Sequence, residues 1–360
     1  MTIKTTPKNA IVFIKVIIAL SFSWPLSKSA SKFQITCFKI LRSFLCMNTV
    51  VLSVPIAYTL YRNDYDLPRI TKLWCTYLIS EMEWTLERAE LYEKNIYQRY
   101  VDRCAMFYVS STAAVFLGAG IGVIVPLTAA DQIFPTEAKY PFNVEHEPIK
   151  TIIFVHQFIA VWQCFSTVCI GSFVSLFIWF AAARFEILLQ QFRMVTNIYD
   201  ITVCVRQHIK LLRYAQEIII AFRSVLLTIM IICTWAIVAS GLTIVSQCSL
   251  TDKIQFMALC ISALMEVYAC AWPADRLIDT STNVAQAIYE SLWYNQDKIF
   301  QKNLNFILLR SQTPTTISVS ILPPLSLQYY ASRYPYVSTA FSYLMTLRMV
   351  FMEENRGIKN

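Results

Sequence analysis

The side chains able to do chemistry are few, and their spacing is helical. Ser338, Ser342 and Thr346 stand four residues apart in the apolar segment 317–350, so on an α-helix they form one hydroxyl stripe. Phe341, Leu344, Met345 and Leu347 fill the other faces. In hydrocarbon each hydroxyl needs a partner, so the stripe faces either neighbouring helices or a water-filled path. Interhelical packing and a pore wall are both open on residue types alone. The carboxylates Glu81, Glu83 and Glu87 crowd one short stretch, where a helix-end cluster explains them more simply than an acid–base pair. His146, His156 and His208 are the only histidines, far apart and without a cysteine at metal-ligand spacing. Of the eleven cysteines, Cys46, Cys75, Cys164, Cys169, Cys233, Cys260 and Cys270 lie inside apolar runs, where a thiol acts as a small hydrophobe. No glycine-rich nucleotide loop, serine elbow or His-Glu-x-x-His word occurs, so no catalytic residue, metal site or cofactor is expected.

The elements that must position these groups are membrane helices. The 360 residues are 56% hydrophobic and 15% charged, with a mean hydropathy of +0.48, too apolar for an ordinary soluble domain. Six glycines against 23 Phe and 19 Tyr favour aromatic-rich helix faces over a glycine-packed transporter core. The net charge of +8 is scattered between apolar runs, which argues against a nucleic-acid surface. A bilayer core of about 30 Å takes roughly 20 helical residues. On that ruler seven spans are predicted: 37–61, 67–86, 101–130, 150–180, 211–246, 253–278 and 317–350. Several exceed one bilayer and are expected to tilt or project into the cytoplasm. Glu81 in the second span requires a partner or a wet cavity. The apolar stretch 10–20, flanked by Lys4, Lys8, Lys28 and Lys32 and followed by Trp24, reads as an interfacial helix. An inside N-terminus places about 20 of the basic residues in inner segments against about eight outside, as the positive-inside rule requires.

The expected fold class is therefore an all-α membrane protein with seven transmembrane helices, a cytoplasmic N-terminus, an extracellular C-terminus and a cytoplasmic helical anchor region. Its parts are an N-terminal segment 1–36, six spans within 37–278, the anchor region 279–316, a last span 317–350 and an extracellular tail 351–360. At outer to middle depth fall Trp74, Tyr77, Phe116, Gly120, Trp162, Phe165, Met257 and Tyr268, whose aromatic and thioether side chains suit a plastic apolar cavity. Each one alone is equally an ordinary packing residue.

Several words in the C-terminal third follow one another in order: Trp272-Pro273-Ala274-Asp275-Arg276-Leu277, then Ser281, Ala285, Ala287 and Tyr289, then Leu292-Trp293-Tyr294, Arg310-Ser311-Gln312 and Leu325-Ser326-Leu327. The last helix adds Ala340-Phe341-Ser342-Tyr343-Leu344 shortly before Arg348. This series resembles the insect odorant receptors, seven-span ligand-gated cation channels, in the form expanded in ants, bees and wasps. Tyr140-Pro141-Phe142-Asn143 is similar to the family's second extracellular loop. The resemblance runs from Trp24-Pro25 to Arg348 and is weakest between Arg62 and Tyr100.

The resemblance implies a tuning subunit in which a small volatile or cuticular apolar ligand binds among the outer halves of spans two, three, four and six. It implies a pore lined by Ser338, Ser342 and Thr346, with the gate at the Thr346 level. It implies subunit anchoring through the region holding Trp293 and Leu304, assembly with an odorant co-receptor as a heterotetramer, and a plasma-membrane location on a sensory dendrite. The partners expected are thus the co-receptor, the ligand and membrane lipid, with no nucleic acid. A gustatory receptor of the same superfamily fits less well, since Met349-Val350 stands where Gln-Phe belongs. The co-receptor itself carries a long insertion where 184–210 is short. A G-protein-coupled receptor runs in the opposite orientation. Its acidic-Arg-Tyr word is matched only by Asp102-Arg103-Cys104, at the wrong end of the third span. A transporter would carry flux without channel-sized current.

Overall fold

The structure, a computed structural model, describes residues 6–12, 67–128, 134, 144, 146–245, 250–291, 293–317 and 325–326. The first expected span, the last one apart from residues 317, 325 and 326, most of the N-terminal segment, the C-terminal tail and the stripe Ser338, Ser342 and Thr346 lie outside the described residues. Within them the chain is helical: α1 (Leu67–Arg88), α2 (Leu91–Thr128), α3 (Ile149–Arg193), α4 (Ile198–Val245), α5 (Leu250–Tyr289) and α6 (Lys298–Ser311), with a 3-10 turn at Trp293–Asn295 before α6. Four of these, α2 to α5, are long and apolar enough to cross a bilayer.

Local chemistry sets the helix starts. Asn197 precedes α4 and its Oδ1 accepts the Asp200 backbone N–H at 2.8 Å, the N-cap bond that satisfies a donor otherwise left over in the first turn. At the start of α2 the Glu93 carboxylate reaches back to the Glu90 N–H at 3.0 Å, half of a capping box. The helices outrun the expected spans. α4 holds 48 residues, a rod of about 72 Å against about 30 Å of hydrocarbon. α5 continues through residue 278 to Tyr289, so the boundary expected there falls inside a continuous helix.

The chain divides into two compact units, residues 1–73 with 101–173 and residues 74–100 with 174–360. In the first, Phe165 and Cys169 of α3 are buried against Val115 of α2. Tyr108 and Thr112 of α2 are buried as well, but Met106, Leu117 and Ile121 are exposed, and only 11% of its most apolar stretch is buried by the chain, against 61% for α3. An apolar face of that kind is covered by lipid or a neighbouring subunit. In the second unit Phe177, Ile178 and Phe185 of α3 are fully buried, with Phe177 stacked on Phe222 of α4 at 5.5 Å. α4 and α5 pack through Ile229, Cys233, Ala263 and Val267, and α6 lies mainly on α5. No disulfide forms among the described cysteines, of which Cys169, Cys204, Cys233 and Cys270 are buried.

Candidate functional site

Half of the expected ligand residues meet in the first unit. Phe116 of α2 and Phe165 of α3 stand edge to face with ring centroids 5.4 Å apart. Trp162, one turn before Phe165, lies 5.7 Å from it, and Phe158 stacks on Trp162 at 6.4 Å. Helical periodicity produces this, because 158, 162 and 165 share a face of α3 while Phe116 comes from α2. One turn beyond Phe116, a Cβ built on Gly120 would meet no heavy atom within 4 Å, so space is open beside the cluster. Phe116 remains 49% exposed although Phe165 is buried, so the ring pair offers a face instead of closing into core. Four neutral aromatic side chains beside an open helix face can hold an apolar or aromatic molecule by stacking and dispersion.

The remaining expected ligand residues belong to the second unit. Tyr77 on α1 and Met257 on α5 are exposed, and the side chain of Trp74 lies outside the described residues. Tyr268 stacks on Trp272 at 5.7 Å, and Trp272 meets Trp179 edge-on at 5.0 Å. Trp179 in turn packs edge-on against Tyr100 at 5.6 Å. That ring column ends on a polar knot that no sequence pattern pointed to. Glu186 accepts the Tyr100 hydroxyl at 2.5 Å, Arg276 Nη2 at 2.9 Å and Arg99 Nη1 at 3.3 Å. Arg276 Nε also donates to the Tyr100 hydroxyl at 3.3 Å. The Trp-Pro-Ala-Asp-Arg word is thus a structural device, with Trp272 inside the aromatic column between Tyr268 and Trp179 and Arg276 in the knot one turn on. Glu81, for which a partner was required, pairs with Arg184 at 3.6 Å, whose guanidinium also lies over Tyr214 at 5.2 Å.

The expected anchor residues divide. Trp293 is half-buried, its ring between those of Tyr289 at 6.3 Å and Tyr294 at 6.2 Å. Leu304 is 3% exposed and faces the interior of its own chain, so the outward positions of α6 are Ile299 and Leu309. The sequence could not separate these, because all three leucine and isoleucine positions carry the same apolar signal.

The long apolar helices α2 to α5, each able to cross a bilayer, define a multi-span helical membrane protein. The chain belongs to the insect odorant receptor family: the family described as 7tm Odorant receptor matches residues 34–333. It is 22% identical over 284 residues to Odorant receptor 13a of Drosophila melanogaster, a match covering 70% of this chain and 65% of that receptor, just under two thirds of its length. Its fold matches the solved olfactory receptor OR5 of Machilis hrabei at 15% identity with a TM-score of 0.73, covering 94% of this chain and 97% of that one. The same receptor solved with eugenol matches at 14% identity and a TM-score of 0.72, covering 95% and 98%. The family is one of receptors and not of enzymes, and the chain is a multi-pass membrane protein of its seven-span fold.

Proposed function

We propose that this chain is an odorant-receptor tuning subunit that binds a small, mostly apolar volatile or cuticular molecule and gates a non-selective cation channel with a co-receptor. In this reading the N-terminus is cytoplasmic, the subunit sits in the plasma membrane of a sensory dendrite, and assembly is heterotetrameric. The observation that carries it is the cluster of Phe116, Trp162 and Phe165 beside the open space at Gly120, a site for stacking against a flat apolar molecule. The solved OR5 complex holds eugenol, a ligand of that character, which supports the same chemistry here. The test is current recorded from the chain co-expressed with a co-receptor across an odorant panel. Trp162→Ala and Phe165→Ala should each shift the concentration for half-maximal current by about tenfold, the loss of one aromatic contact, with the reversal potential unchanged. Curves identical to wild type for both variants would remove the ligand from this cluster.

A further inference from the structure

A cavity lies in the other unit, far along the sequence from the aromatic cluster. It is an open groove of about 730 Å³ between α4 and the end of α6 with the segment 314–316, within the range of about 300–1,000 Å³ usual for small-molecule sites. Its wall is mixed. Ile209, Leu212 and Ile307 line it together with Arg213, Arg310 and Thr315. No carboxylate lines it. Arg213 and Arg310 enter no ion pair among the described residues; Glu217, one turn from Arg213, acts on it only through space, and Arg310 Nη1 donates to the Thr313 carbonyl at 3.3 Å and to the Thr313 hydroxyl. The Thr315 hydroxyl is buried without a partner among the described residues. Two exposed guanidiniums and an unused hydroxyl beside aliphatic wall match a phosphate joined to a hydrocarbon chain.

Its height on α4 agrees. Residues 218–245 carry a single charge, Arg223, and span about 42 Å, the thickness of a bilayer with its headgroups. Arg213 stands about 7.5 Å before that stretch, just inside the cell from the headgroups, where its long side chain can reach back to them. With the N-terminus inside, an orientation that belongs to the function proposed above and on which this step rests, that level is the inner leaflet, where anionic lipid is concentrated. We infer that this cavity binds an anionic phospholipid of the inner leaflet, its headgroup phosphate held by Arg213 and Arg310 and its acyl chain lying along Leu212 and Ile219 toward the bilayer.

The test uses the full-length purified protein in detergent with three probes: a short-chain phosphatidylinositol bisphosphate, the matching phosphatidylcholine, and soluble inositol trisphosphate. Only the first should raise the thermal midpoint. Arg213→Gln and Arg310→Gln should each weaken its binding about tenfold, the factor for one charge-assisted hydrogen bond. Lys210→Gln, an exposed neighbour outside the lining, should leave it unchanged. Equal stabilisation by phosphatidylcholine, equal binding of inositol trisphosphate, or full binding by both arginine variants would each overturn the inference. Should the variants fail to fold, a photoreactive form of the same lipid on the wild type must label residues 205–219 or 307–316, and labelling elsewhere overturns it. None of these readouts needs an odorant or a current, so loss of the channel reading leaves them standing. The orientation is checked separately by Lys210→Cys against an impermeant maleimide on intact cells, where labelling above the wild-type background would overturn the inner-leaflet assignment.

Discussion

Pro273 lies inside α5 and has no N–H, so the carbonyl of Ala269, four residues earlier, loses its helical donor. The Ser175 hydroxyl of α3 donates to that carbonyl at 3.0 Å, with Ser175 0% and Ala269 4% exposed. Neighbouring hydroxyls are how membrane helices tolerate proline, because nothing in hydrocarbon would otherwise meet the freed group. Ser175→Ala removes that bond. Interhelical hydrogen bonds in membranes contribute about 0.6 kcal/mol on average and up to about 1.7 kcal/mol, and this one replaces a backbone donor at a buried site, so the expected loss is about 1–1.5 kcal/mol. In a Pro273→Ala background the new N–H meets Ala269 from within the helix, and Ser175→Ala should then cost less than about 0.5 kcal/mol. The measurement is a double-mutant cycle on the four purified proteins, unfolded by denaturing detergent in mixed micelles. The lost proline ring contributes to both arms and cancels, leaving a coupling of about 1 kcal/mol. If Ser175→Ala costs the same in both backgrounds, the serine is not replacing the missing donor and the reasoning fails.

Further outcomes follow from other contacts. Glu186→Gln removes the acceptor charge facing Arg276 and Arg99, whose side chains are 31% and 58% exposed, so the cost should be about 2 kcal/mol, below the 3–5 kcal/mol of a fully buried pair. Arg99→Gln should cost under about 1 kcal/mol, and the reverse order in the same unfolding assay would refute this arrangement. Leu304→Ala, at a buried site, should lower stability by about 2–4 kcal/mol, while Ile299→Ser with Leu309→Ser should spare stability and reduce co-purification with a co-receptor. Undiminished co-purification would clear that face of a role in assembly. The Glu290 carboxyl is held below its ordinary 4.5 by the Gln286 amide and Arg193, with Arg193 Nε at 2.7 Å. Its contribution is therefore complete above that ordinary value and lost as pH falls through the lowered one. Stability of Glu290→Gln relative to wild type, followed from pH 6 to pH 3, should show the difference shrinking with acid. On the pore proposal, Thr346→Val should change basal current and Ser342→Glu should raise calcium permeability, read as reversal potentials of surface-expressed variants. Wild-type values in both would return the stripe to helix packing.

Hydropathy alone carried the fold class, because a chain 56% hydrophobic and 15% charged can satisfy its backbone in lipid only as helices or a closed barrel, and the long runs lack strand alternation. The need of Glu81 for a partner was also legible from one residue and its apolar surroundings. Its partner was not, since Arg184 is remote in sequence and meets it only once α1 and α3 are side by side. Phe116, Trp162 and Phe165 announced themselves by type and depth, yet their meeting depended on how α2 and α3 are rotated about their axes. The phase of α6 about its own axis likewise turned Leu304 inward and Ile299 and Leu309 outward, although each is equally apolar. Glu186 gave no sequence signal at all, being a single carboxylate in a buried helix. Its role exists only because Tyr100, Arg99 and Arg276 converge on it from α2 and α5, and helix phase of that kind is set by interhelical packing, which no single helix's sequence encodes.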